Sequence, residues 1–363
     1  MSVIFTKDSL RASIEASSGG KMTVLYNDKG HPIYCAVVPK FNLQDVEPSG
    51  DLGTGTHPAF VVNGVEKDEI KYGLFPAVVR DGRAVCLPGV DPATNVDYDQ
   101  AVAYCTANGP GWHLSTIFEW SAFKMWCLAN GFQPRGNTDW GRHHDQLHET
   151  GVRPDGYSIG QSSGNGRTLT GSGPKSWRHD NSPFGVADLV GNVWEWQYLL
   201  KIVEGQIFLP GDNQFDLDEG SWPGLMAYFD STASGTSSDS GDLGDPILAS
   251  SVNNYLGPTG DDDNYGYAET PWTDMALVAG YFPPGQVTTA GISPKKDGDA
   301  GAIVSLFSGV LGNIWVRNYG ERMPVAGGAR SHGVKAGLSA LDLGGARSRS
   351  SSTLGFRPAF ISS

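Results

Sequence analysis

Two stretches of the chain carry apolar residues at helical spacing. In YDQAVAYCTANG, Ala101, Val102 and Cys105 form a stripe; Asp97 and Gln100 stand ahead of it as a capping box, and Asn108-Gly109-Pro110 stops it. In the second, Ile117, Trp120, Phe123 and Cys127 carry the stripe, Thr116 and Glu119 open it, and Asn130-Gly131 closes it. Elsewhere the period is two. TVLYNDKGHPIYCAVV has two β-rich runs around Asn27-Asp28-Lys29-Gly30 and predicts a hairpin. In GNVWEWQYLL, Trp194, Trp196 and Tyr198 alternate with Glu195 and Gln197, the pattern of a half-buried strand. Pro358 predicts a strand end or edge. Two helices followed by many short strands predict an α+β fold.

Composition adds loops to that picture. Forty-nine Gly and 22 Pro without a collagen-like period mean that turns and irregular connections take up much of the length. Residues 1–50 read as a small β-rich N-terminal unit, and residues 51–363 as the main domain. Within the latter, about 205–300 turns acidic and loop-like, as in DNQFDLDEG, SSDSGDLGDP and GDDDNYGYAE, and reads as insertions without a core of their own.

Charge narrows the function classes. A formal charge of −13, with no Lys/Arg cluster to offset it, would repel a phosphate backbone, so nucleic acid is not expected as a partner. No apolar run approaches the ~20 residues of a membrane span, and MSVIFTKDSLRAS lacks a signal peptide's apolar core. Membrane insertion is therefore not expected, and the chain is expected to be made as a soluble protein. Cys35, Cys86, Cys105 and Cys127 lack CxxC spacing and read as buried thiols. In GRHHDQLHET, His144 and His148 are four apart, but Gly141 and Gly151 favour a loop and a polar surface over a metal site. Asp261, Asp262 and Asp263 form an acidic loop for which calcium is a candidate ion, although EF-hand spacing is absent. Nothing else in the chain requires a cofactor, and no set of metal ligands is assigned.

Five pieces then occur in a telling order: HPAFVVNGVEKDEI, GPGWHLSTIFEWSAF, TLTGSGPKSW, FGVADLVGNVWEW and LGFRPAF. Together they resemble the formylglycine-generating-enzyme type of C-type lectin fold, from about residue 54 to the end. The resemblance implies an α+β domain of two helices, short antiparallel strands and long irregular loops. Within that superfamily, GGARSHGVKAGLSALDLGGARSRSSSTLGFRPAF, residues 327–360, is similar to the variable region of proteins diversified by retroelements. It keeps Gly327-Gly328, Ala336-Gly337, Ala340-Leu341, Ala346-Arg347-Ser348 and Gly355-Phe356-Arg357, and departs from the pattern at Arg330, where the family often has an aromatic residue.

The resemblance also implies which positions vary. Diversification replaces template adenines, typically in asparagine codons ending in C, so a site can become Ser, Thr, Asp, Gly, His, Arg or Tyr but not Lys, Glu, Gln, Met or Trp. Ser331, His332, Ser339, Asp342, Gly344, Gly345, Arg349, Ser351, Ser352 and Thr353 all satisfy that rule and form the expected ligand-binding set; Lys335 does not. Catalysis of the formylglycine-generating kind needs paired C-terminal cysteines, and none follows Cys127, so no catalytic residue is expected. These readings point to a non-enzymatic phage or prophage receptor-binding protein. Its partner would be a protein or glycan receptor on a target cell surface. A virion tail would be its location, with the N-terminal unit docked to the larger assembly. The alternatives are a cellular diversified binding protein, cytoplasmic or exported without a recognisable signal, and a degenerate relative of the enzyme.

Overall fold

The computed structural model describes residues 8–235, 242–257, 266–297 and 302–362. A helix that the pattern did not announce, α1 (Ser9–Ser18), comes first, capped by Asp8, whose side chain accepts from the Arg11 N–H. The expected hairpin follows as β1 (Met22–Tyr26) and β2 (Pro32–Pro39), in register from Met22 opposite Ala36 to Tyr26 opposite Pro32. Strand β3 (Glu69–Gly73) pairs with β2 from Cys35–Gly73 to Pro39–Glu69.

Both expected capping boxes close. In α2 (Tyr98–Thr106) the Asp97 carboxylate accepts from the Gln100 N–H at 2.8 Å, and the Gln100 amide oxygen accepts from the Asp97 N–H at 3.2 Å. After β4 (Trp112–Leu114), helix α3 (Ile117–Ala129) repeats the arrangement: Thr116 and Glu119 exchange bonds of 3.1 and 3.0 Å. Each box contributes on the order of 1 kcal/mol and fixes where its helix starts.

Helix α3 departs from the amphipathic reading, since residues 117–125 are buried all round. Its polar positions are covered by later chain: Ser121 Oγ donates to the Thr289 carbonyl at 2.6 Å, and Lys124 Nζ donates to the Gly291 carbonyl at 2.9 Å while lying over the Trp272 ring. Burial pushes the Lys124 ammonium down to about 7.

The two large sheets also contain β5 (Trp194–Trp196), β6 (Lys201–Val203), β7 (Gln206–Phe208), β8 (Gly224–Ser231), β9 (Pro246–Ala249), β10 (Ala268–Pro271), β11 (Asn313–Val316), β12 (Glu321–Ala326), β13 (Leu341–Gly345), β14 (Leu354–Gly355) and β15 (Pro358–Phe360). One sheet runs β1-β2-β3-β15-β4, so the C-terminal strand lies between β3 and β4; Pro358 is its first residue, where a missing N–H costs least. The other sheet runs β10-β11-β13-β12-β6-β7-β8-β9, with the two-residue strand Ala276–Leu277 parallel to β9 at its edge and β5 pairing β12 and β14. Phe229 and Leu248, from the acidic region, share a buried cluster with Trp120 and Phe123 of α3.

Strand β5 is buried on both faces, which corrects the half-buried reading. Glu195 is 1% exposed because it meets Arg357: the Nε and Nη2 groups of the guanidinium donate to its two oxygens at 2.8 and 2.5 Å. Two further N–H groups of the arginine donate to the carbonyls of Gly73 and Ala187. An alternating strand can therefore be buried on its polar side when an equally buried cation answers it.

Candidate functional site

The C-terminal region begins where β12 ends, at the Gly327-Gly328 turn. Both glycines have positive φ, 94° and 86°, and a Cβ on Gly327 would fall 2.4 Å from the Leu189 carbonyl oxygen. The chain then loops through residues 329–340 and enters β13, which pairs antiparallel with β12 and parallel with β11. Register on β11 sets Ile314 beside Leu341, Trp315 beside Asp342 and Val316 beside Leu343. Ile314, Val316, Leu341 and Leu343 are buried, so the pleat turns Trp315 and Arg317, with Asp342 and Gly344, to the other face.

That face gathers one group of the expected residues. The His332 ring packs edge-on to Trp194 and Trp315, at 5.1 and 5.9 Å, and its Nδ1 accepts from the Ala329 N–H at 3.2 Å. Burial lowers the basicity of His332. Asp342 accepts from Arg349 at 2.8 Å and from the Gly344 N–H at 2.8 Å. Burial opposes ionisation of Asp342, yet Arg349, that N–H and Arg317 outweigh it and hold the carboxyl below its ordinary value. The atoms nearest a Cβ on Gly344 would be side-chain atoms of Arg317 and Asp342, from 3.1 Å, and those nearest one on Gly345 would be side-chain atoms of Arg349, from 3.0 Å.

A second group lies around Arg330. Its guanidinium sits over the Trp140 ring at 5.3 Å and donates to the Ser352 carbonyl and hydroxyl at 3.1 and 3.3 Å. Burial, with Arg167 and Arg153 nearby, lowers Arg330 to about 10. Arg167 donates to Asp91 and to the same Ser352 carbonyl, and the Ser351 and Thr353 hydroxyls share a bond of 2.7 Å. Ser331 and Ser352 are exposed, while Ser351, Thr353 and Arg349 are half-buried. Ser339 is apart from both groups: it is 1% exposed, its N–H donates to the Leu311 carbonyl, and its hydroxyl has no partner among the described residues.

Residues outside the expected set hold the region in place. Lys335 pairs with the buried Glu269 at 2.6 Å, and Arg347 bridges Glu321, Glu219 and Asp99. Gly337 and Gly312 pack against backbone, with a Cβ 2.1 Å from the Leu311 carbonyl oxygen and 2.2 Å from the Ala340 nitrogen respectively. Beneath the loop, Asn192 exchanges bonds with Asn137 and Thr168, and its carbonyl accepts from the Arg330 N–H. Trp140, Trp315 and Arg317 are members of this surface that motif reasoning missed. The alternation in NIWVRN was the available signal for Trp315 and Arg317; Trp140 is brought in from about 190 residues away and leaves no local signal.

Other candidate chemistry is not assembled nearby. The four cysteines are free and buried, with their thiols pushed up by burial, that of Cys86 to about 12. The His143, His144 and His148 stretch lies in turns, where His143 Nδ1 accepts from the Asp145 and Gln146 N–H groups and His144 Nδ1 meets the Thr138 hydroxyl. Among the described residues, no three His, Cys, Asp or Glu side chains come together as a metal site would need. Asp261, Asp262 and Asp263 lie outside the described residues.

Residues 59–200 match the family model of the sulfatase-modifying factor enzyme 1-like domain. The fold is α+β, of the formylglycine-generating-enzyme C-type lectin type. Among solved structures the chain is similar to Treponema denticola variable protein 1, at 11% identity over 93% of this chain and 98% of that one, with a TM-score of 0.33. No curated protein matches the chain. Among the described residues, no helix is long and apolar enough to cross a membrane.

Proposed function

We propose that the protein is a non-catalytic binder whose C-terminal surface is diversified by a retroelement and which recognises a protein or glycan receptor as part of a phage or prophage particle. The observation that carries this reading is the division of the glycines. Gly327, Gly328 and Gly337 are backed by neighbouring backbone and admit no side chain, whereas the atoms nearest Gly344 and Gly345 belong to the flexible side chains of Arg317, Asp342 and Arg349. A surface built to change its side chains while keeping its backbone needs this division. Lys335 and Arg347 support the reading in the same way, as ion-paired fixtures between replaceable positions.

His332, Asp342, Arg349, Ser331 and Ser352 offer adaptable polar contacts, and Trp315 and Trp140 supply the rigid aromatic area that such contacts need beside them. The N-terminal segment would join the protein to its particle, where many copies raise the effective concentration of a modest site. Sequencing the gene across a growing population is the test. Adenine-template substitutions confined to codons 327–360 are expected; an even spread of mostly silent changes overturns the reading. A neighbouring reverse transcriptase with a template repeat, beside tail genes, distinguishes a phage protein from a cellular one.

A further inference from the structure

A cavity of about 400 Å³ lies between β2 and α3, and none of its lining residues belongs to the C-terminal region. Its walls are mostly apolar, with Phe41, Phe123, Trp126 and Phe184 supplying four aromatic rings. One polar group is set among them. The His179 ring packs 5.1 Å from Phe123 and 5.2 Å from Trp126, and its Nδ1 accepts from the Val186 N–H at 2.8 Å. That bond fixes the tautomer, so the proton is on Nε2. Nε2 has no hydrogen-bond partner among the described residues, and it is not sealed away with the buried unpaired atoms. A directed donor in an apolar wall, open to the cavity, is the arrangement that orients a small ligand.

The cavity's charged groups add a preference. Asp180 is occupied by the Ser182 N–H and hydroxyl, and stands 3.6 Å from Lys21 Nζ. The lining therefore holds two ammonium groups, Lys21 and Lys40, against one carboxylate that is already engaged. Lys40 is itself paired with Glu66 and Asp68, which leaves Lys21, 62% exposed, as the cation able to reorient toward an incoming anion.

We infer that this cavity is a second binding site, for a small aromatic carboxylate whose ring lies among Phe41, Phe123, Trp126 and Phe184 and whose carboxylate accepts from His179 Nε2 with Lys21 at the mouth. The site is independent of the variable surface, so it would serve every diversified copy alike.

Calorimetric titration of the full chain with phenylacetate, and with benzyl alcohol as its neutral counterpart, tests this. Phenylacetate is expected to bind at one site per chain, about tenfold more tightly than the alcohol. Trp126→Ala, at a half-buried position, is expected to weaken both ligands about tenfold or more, and Lys21→Met, at an exposed position, to weaken phenylacetate alone. Thermal midpoints of both variants verify that they fold. Absence of saturable phenylacetate binding to the folded protein overturns the inference, as does binding that Trp126→Ala leaves unchanged. Equal affinity for acid and alcohol, with no effect of Lys21→Met, overturns the carboxylate assignment.

Discussion

The separation of fixed from replaceable positions can be tested on two glycines seven residues apart. At Gly337, a Cβ would sit 2.1 Å from the Leu311 carbonyl oxygen and 2.4 Å from its carbon, where real Cβ atoms stay beyond 3.0 Å, so the backbones must part by about an ångström. Leu311 cannot retreat freely: its carbonyl accepts from the Ser339 N–H at 3.0 Å, and Gly312 already rests against the Ala340 backbone. Overpacking against backbone that cannot move costs about 1–3 kcal/mol, so Gly337→Ser is expected to lose about 2 kcal/mol or more. At Gly344 the nearest atoms are side-chain atoms of Arg317 and Asp342, from 3.1 Å away, which need give by only a few tenths of an ångström and not by a backbone shift. Gly344→Ser is expected to lose about 1 kcal/mol or less. Urea denaturation of the three proteins, read by far-ultraviolet circular dichroism at equal slope, measures both. A Gly344→Ser loss equal to that of Gly337→Ser would refute the reasoning, because no difference in backbone constraint would then separate the positions.

Replacing Arg357 by Met leaves Glu195 ionisable and buried without its cation, and urea denaturation should show a loss of about 3–5 kcal/mol, much of it restored when Glu195→Gln is added. Acid should destabilise the fold early: burial holds His57 to about 3, His143 to about 4 and His179 to about 4, so the unfolded chain takes up protons near its ordinary value of about 6.5 while the folded chain does not. Stability is then highest above that value and falls as pH drops toward about 4, and a urea midpoint that is the same at about pH 7 and about pH 5 would contradict it. At lower pH a second loss follows, because Glu149, whose burial is outweighed by Arg135 and Trp177, is held at about 2 against an ordinary 4.5, and the stability this contributes disappears between those values; Glu149→Gln should flatten that limb. A thiol-reactive disulfide reagent should leave all four cysteines unlabelled in the native protein and label all four in urea, since each thiol is buried and its pKa raised.

The amino-acid sequence by itself determined the local features. Capping boxes at Asp97 and Thr116, the turn at Asn27–Gly30 and the strand start at Pro358 depend on hydrogen bonds and dihedral limits within a few residues, and those operate wherever the segment finds itself. The C-terminal motif was legible through its resemblance to a family pattern, although the demands on Gly327 and Gly337 come from the distant Leu189 and Leu311 backbone. Tertiary structure decided what those segments face. Nothing local in WEW says that Glu195 will be buried, since the cation that permits it is 162 positions away. Nothing in FEWSAFKMW says that α3 will be covered on its Ser121 and Lys124 side, because the covering chain belongs to the acidic region read as loops. Ser339 and Ser331 are the same residue type in the same motif, yet one lies under the Leu311 loop and the other is exposed. Burial is a property of packing across the whole chain, and only the folded arrangement of β11, β13 and Trp140 says which of the small polar residues can meet a ligand.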